Sequence, residues 1–170
     1  MGVYPFVSKH VYWKISLYFT AIALITVVLG VVLLRLAMVD LHTFRLPDVY
    51  TLPLIVIGVS LNAILAGGLP HGAIWGAVVG YGVMWGLGAL FFHRSGREGL
   101  GLGDAKLFAA AGAWVGLGYL PAVLLLAAGG ALAVALIARR GPQDAIAFGP
   151  WLAAAFWVVW VAKLVGMVGF

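Results

Sequence analysis

The sequence predicts an all-α, polytopic membrane protein with about six transmembrane helices, built as a single integral-membrane domain over residues 1–170. Three observations carry this prediction. The hydrophobic set makes up 65% of positions and Asp, Glu, Lys and Arg only 9%, against roughly 25% charged residues in a soluble domain. Apolar windows fall near 15–38, 52–66, 73–92, 105–117, 121–138 and 151–168, separated by short polar or Gly/Pro-rich breaks. A bilayer-spanning helix needs about 20 mostly apolar residues, so six such windows consume most of the chain and leave room only for short connections.

The first window follows Lys9 and Lys14 and runs from Ile15 to Leu34 without a small-residue cleavage site. It is longer than the apolar region of a secretory signal, so it reads as a retained span with nothing removed. The second ends in the break Gly67-Gly68-Leu69-Pro70-His71. In the third, Gly76 and Gly80 lie four residues apart with Gly72 and Gly86 nearby, a spacing that lets helices pack closely. The fourth is short, contains Gly112 and ends at Gly116 and Gly118. The sixth begins after Phe148-Gly149-Pro150, since Pro is tolerated in a first helical turn. Trp114, Trp151, Trp157 and Trp160 read as interface belt and packing residues.

Composition also removes function classes. A net charge of +5 and a pI near 9.8 would suggest nucleic acid in a soluble protein, but Lys and Arg in membrane-protein loops chiefly set topology, so no nucleic-acid partner is expected. Absence of Cys excludes disulfides, thiolate metal sites and cysteine nucleophiles. His10, His42, His71 and His93 are scattered without metal-ligand spacing, so neither a metal nor a cofactor is expected.

Placing connections 1–2, 3–4 and 5–6 in the cytoplasm gathers seven basic residues there, Arg35, Arg45, Arg94, Arg97, Lys106, Arg139 and Arg140, against Lys9, Lys14 and Lys163 on the other side. The seven-to-three ratio predicts both termini outside. All five acidic residues, Asp40, Asp48, Glu98, Asp104 and Asp144, then fall on the cytoplasmic side. Asp40 directly follows Leu36-Ala37-Met38-Val39, at membrane depth. A carboxylate there is costly and marks a functional site with a partner. That partner is Asp104, which closes Gly99-Leu100-Gly101-Leu102-Gly103-Asp104 and precedes a helix-forming run. Two carboxyls held close cannot both ionise, so they share a proton; one activates water while the other polarises a carbonyl. Asp40 ends a helix and Asp104 starts one, so the helix dipole predicts Asp104 ionised and Asp40 protonated.

These segments together resemble the bacterial type IV prepilin peptidases, membrane aspartic proteases of the GxGD class. The resemblance rests on Asp40-Leu41-His42-Thr43-Phe44-Arg45-Leu46-Pro47-Asp48-Val49-Tyr50-Thr51-Leu52-Pro53, on Glu98-Gly99-Leu100-Gly101-Leu102-Gly103-Asp104-Ala105-Lys106-Leu107, and on Ala147-Phe148-Gly149-Pro150-Trp151-Leu152-Ala153. It implies a catalytic pair at Asp40 and Asp104, and substrates that are type IV prepilins or pseudopilins, whose short basic leader is cut at the cytoplasmic face of the inner membrane. Long members of the family carry a cytosolic region with paired Cys motifs, associated with zinc and N-methylation; with no Cys and no room for that region, peptidase activity alone is expected. The family's usual Pro before Phe148 is Ala147.

Other motif residues carry secondary expectations. Asp48 caps the helix leading to Thr51-Leu52-Pro53. Glu98 and Lys106 shape the site or, for Glu98, contact the basic leader; the bland alternatives are a loop charge and a topology anchor. Gly101 and Gly103 permit close approach of another segment. Phe148, Gly149 and Pro150 either simply start the last helix or border the site and pair with an unwound substrate strand. Asp144 reads as a loop cap. Rival readings are a GxGD protease for archaellin-like or Tad-type pilins, and a proton-coupled transporter or assembly subunit, although a transporter should carry acids nearer mid-membrane. Oligomeric state is not legible in the sequence.

Overall fold

A computed structural model describes residues 9–96, 101–139 and 147–168. They form six helices: α1 (Lys9–Thr43), α2 (Asp48–Ala66), α3 (His71–Ser95), α4 (Leu102–Val115), α5 (Leu120–Ile137) and α6 (Gly149–Val168), with a 3₁₀ turn at Leu117–Tyr119 before α5. No strand occurs among the described residues, as the all-α class requires. Arg97, Glu98, Arg140 and Asp144 lie outside the described residues.

Five helices, α1, α2, α3, α5 and α6, are long and apolar enough to cross a bilayer. The fourth window is different. α4 has 14 residues, about 21 Å at 1.5 Å per residue, shorter than a hydrocarbon layer of roughly 30 Å. It sits in the middle of the bundle against α2, α3 and α6. From Asp104 to Val115 every residue except Lys106 is buried. The longer helices instead turn large apolar side chains such as Val27, Val56, Trp75 and Leu125 outward, which suits lipid rather than water as the surrounding medium.

Close backbone contact holds α4 against α3. A Cβ on Gly112 would overlap the Gly76 carbonyl, and one on Gly76 would overlap the Gly112 carbonyl. One turn on, a Cβ at Gly80 would lie 2.9 Å from the Phe108 carbonyl oxygen. Gly72 and Gly86 have no such neighbour, so the predicted small-residue contact is made by Gly76 and Gly80 alone.

The far end of α4 is buried, and its last carbonyls need partners that water cannot supply. Asn62 of α2 donates to the Ala113 and Trp114 carbonyls at 2.9 and 3.2 Å, and Lys163 of α6 donates to Trp114 at 3.2 Å. The Trp114 indole in turn donates to the Leu54 carbonyl at 2.8 Å. Trp114 and Trp160 are therefore core residues, packed edge to face at 5.2 Å, while Trp157 stays 40% exposed at the surface.

Candidate active site

Along α1 the buried side chains Leu29, Leu33, Leu36 and Asp40 recur every three or four residues, which makes one stripe on a helix of 3.6 residues per turn. The face that packs into the bundle thus ends in a carboxylate. Asp40 is only 5% exposed. α1 stops one turn later, where Phe44 takes a left-handed conformation (φ 51°) and its N–H donates to the Asp40 carbonyl at 2.9 Å.

Asp104 is set by the opposite device, a helix start. Gly101 is extended (φ −75°, ψ 150°), and its carbonyl accepts from Asp104 N at 3.1 Å and Ala105 N at 3.4 Å. This places Asp104 in the first turn of α4, 9% exposed. The two acid-bearing segments meet because residue 103 lacks a side chain: a Cβ there would lie 2.8 Å from Leu46 Cβ in the α1–α2 connection.

Asp40 and Asp104 line one cavity of about 560 Å³. Phe44, Arg45, Leu46, Asp48, Gly101, Gly103 and Lys106 form one side of it, and Met84, Trp85, Gly88, Ala89 and Phe92 of α3 form an apolar wall. Burial pushes the Asp104 carboxyl up to about 6, the nearby Asp40 charge adds to the rise, and a backbone hydrogen bond from Gly101 opposes it. The helix-start position therefore favours the Asp104 anion less than desolvation disfavours it. Its Oδ1 is buried with no hydrogen-bond partner among the described residues. A carboxyl group in that setting exchanges its proton closer to neutral pH than a free Asp does.

The remaining predicted residues separate clearly. Gly149 N–H donates to Asp40 Oδ2 at 3.0 Å, and a Cβ on Gly149 would stand 2.6 Å from that oxygen. Gly149 thus borders the site, but its N–H is committed to Asp40 and is not free for a substrate strand. Phe148 and Pro150 do not line the cavity. The Phe148 carbonyl instead accepts from Trp151 N and Leu152 N, both at 3.1 Å, which starts α6. Asp48 makes no side-chain cap on α2; it pairs with Lys106 at 2.6 Å across the cavity rim. With Asp48 55% exposed, this pair ties the start of α2 to the start of α4 at modest energy, under about 1 kcal/mol. Among the described residues no group of three or more His, Cys, Asp or Glu could hold a metal.

The sequence reading missed the α3 wall. Trp85, Gly88, Ala89 and Phe92 follow i, i+3, i+4, i+7 spacing, the mark of one helix face, yet nothing in the order of residues says that this face meets the acids. Arg45, a topology charge within the motif stretch, lines the cavity, and the Thr51 hydroxyl of the same stretch is buried with no partner among the described residues; the sequence assigns neither a role in the site.

A profile of the type IV leader peptidase family matches residues 27–138, which include both aspartates. The chain belongs to the type IV leader peptidase family. It is similar to the prepilin leader peptidase/N-methyltransferase of Escherichia coli (strain K12), 45% identical over 123 residues, covering 71% of this chain and 55% of that protein. The protein of the same name from Aeromonas salmonicida (strain A449) is 45% identical over 132 residues, 75% of this chain and 45% of the relative. That from Stutzerimonas stutzeri is 37% identical over 155 residues, 89% and 53% of the two chains. This family member spans about half the length of the curated relatives it matches. No solved structure matches it. The family's profile ends at residue 138, so the contact from Gly149 to Asp40 comes from a helix beyond the matched stretch.

Proposed function

We propose that this chain is an aspartic endopeptidase that removes the short basic leader of type IV prepilins or pseudopilins at the cytoplasmic face of the inner membrane. The observation that carries the reading is the shared cavity of Asp40 and Asp104, each buried, with the charge of one raising the proton affinity of the other. The positive-inside count supports the cytoplasmic placement of that cavity. The reading concerns the peptidase half of the relatives' double name.

The chemistry follows from one proton shared by two carboxyls. The ionised carboxylate takes a proton from water as the water oxygen attacks the scissile carbonyl carbon. The protonated partner donates to the carbonyl oxygen, which leaves a neutral gem-diol intermediate. Proton return to the leaving nitrogen then breaks the C–N bond and releases the leader carboxylate and the new pilin amine. Burial and the neighbouring Asp40 charge raise the proton affinity of Asp104, which favours one proton shared between the two carboxyls. The apolar α3 wall opposite suits the hydrophobic segment that follows a leader.

The test is reconstitution of the chain with a prepilin in lipid vesicles, comparing wild type with Asp40→Asn and Asp104→Asn. Each variant should insert with unchanged helicity and cleave at least about a hundredfold more slowly, the scale expected for loss of a general acid or base. Cleavage at the wild-type rate by either variant would overturn the dyad.

A further inference from the structure

A second cavity, of about 510 Å³, opens between α5 and α6. Its lining joins Ala122 and Leu126 of α5 to Val158, Val159 and Ala162 of α6, with Tyr119, Lys163 and Gly166 completing it. α6 starts beside Asp40 at Gly149. Lys163 comes 14 residues later, about 21 Å along the axis, so this groove lies toward the other end of the bundle. Within it the polar side chains gather at the outer end: Tyr119 immediately precedes α5, Lys163 lies near the end of α6, and the walls below them are aliphatic.

Lys163 is an unusual cation. Its Nζ donates one hydrogen bond, to the Trp114 carbonyl at 3.2 Å, and stands 6.0 and 5.9 Å from the ring centroids of Tyr119 and Trp160. It pairs with no carboxylate: the sole ion pair among the described residues is Asp48 with Lys106. The acidic side chains among those residues, Asp40, Asp48 and Asp104, all border the other cavity. An ammonium group with three donors and a neutral acceptor, at the mouth of an aliphatic groove in a membrane protein, is complementary to an anion attached to an acyl chain. A free anion would leave the aliphatic walls empty, and a zwitterionic lipid would bring its own cation to Lys163.

We propose that the α5–α6 groove binds one anionic phospholipid, with its phosphate at Lys163 and an acyl chain along Ala122, Leu126 and Val158. Lys163 also holds the Trp114 carbonyl at the end of α4, so an occupied groove is in contact, through one side chain, with the helix that carries Asp104. The inference does not depend on the peptidase reading.

The experiment is native mass spectrometry of the full chain released from vesicles of equal phosphatidylcholine and phosphatidylglycerol. Wild type should retain phosphatidylglycerol in preference to phosphatidylcholine, and Lys163→Arg should do the same. Lys163→Met should lose about fivefold in that preference, the effect of one cation near a lipid headgroup. Gly166→Leu keeps the charge but adds a branched side chain to the groove lining; a Cβ there meets nothing within 4 Å, and the retained lipid should be lost. Lys14→Met, which removes an exposed cation outside the groove, should behave as wild type. Equal retention of the two lipids by wild type, undiminished preference in Lys163→Met, full retention by Gly166→Leu, or a loss in Lys14→Met as large as in Lys163→Met would each overturn the proposal.

Discussion

The backbone N–H of Gly149 donates to Asp40 Oδ2 at 3.0 Å, joining residues 109 positions apart. The bond fixes the rotamer of a carboxylate that otherwise ends a long apolar stripe. It requires that residue 149 have no side chain, because a Cβ would stand 2.6 Å from Oδ2 and 2.8 Å from Cγ. Gly149→Ala should therefore displace the Asp40 carboxyl while leaving the α6 start, held by the Phe148 carbonyl, in place. Cleavage should fall about a hundredfold, the usual penalty for displacing a reacting group by about 1 Å. Helical content should be unchanged. A variant with wild-type turnover would show that the bond does not position the acid.

Asp104 predicts a pH dependence of definite sign. Its carboxyl sits at about 6 in the folded chain against 3.8 for the isolated group, chiefly through burial. Between those values the folded state binds more protons than the unfolded one. The group's contribution is thus fully present below pH 3.8 and lost as pH rises through about 6, at most about 3 kcal/mol in all. The melting temperature of the purified chain in detergent should fall over that interval. Asp104→Asn should flatten the slope, and Asp40→Asn should lower the titration midpoint of Asp104 by removing a neighbouring negative charge. Carbon-detected NMR of labelled Asp reads both midpoints, and an Asp104 midpoint unmoved by Asp40→Asn would contradict the coupling.

Most of the bundle was legible because its forces are one-dimensional. Apolar runs of span length must become helices in a bilayer, where every backbone group needs an internal partner, and α1, α2, α3, α5 and α6 follow from that alone. α4 resisted the rule: its window is apolar, yet it forms a 14-residue helix enclosed by its neighbours, with the carbonyls of its buried far end satisfied by Asn62 and Lys163. Those contacts link positions about 50 residues apart, and no periodicity encodes them. In the site, Asp40 and Asp104 were readable as costly charges in an apolar sequence. Gly149 was readable as a residue bordering them, but its hydrogen bond to Asp40 was not. The α3 wall was not readable, because an apolar helix in lipid is apolar on every face and hides which face is inside.

The enclosed position of α4 carries a prediction of its own, because on its α3 side the helix bearing Asp104 is seated by backbone contact. At Gly76 and Gly112 the α3 and α4 main chains touch, and an added methyl on either meets a carbonyl of the other, not a flexible side chain. Relief requires the helices to separate, which also loosens Gly80 against Phe108 one turn nearer the cavity. Gly112→Ala should cost about 1–3 kcal/mol by overpacking, despite the higher helix propensity of Ala. Gly72→Ala, on the same α3 helix with nothing within 4 Å, should be neutral or stabilising by up to about 1 kcal/mol. Thermal unfolding in detergent separates the two. If Gly112→Ala melts with Gly72→Ala at or above the wild-type temperature, the contact is slack, and the seating of Asp104 must come from the Asn62 and Lys163 bonds at the far end of α4.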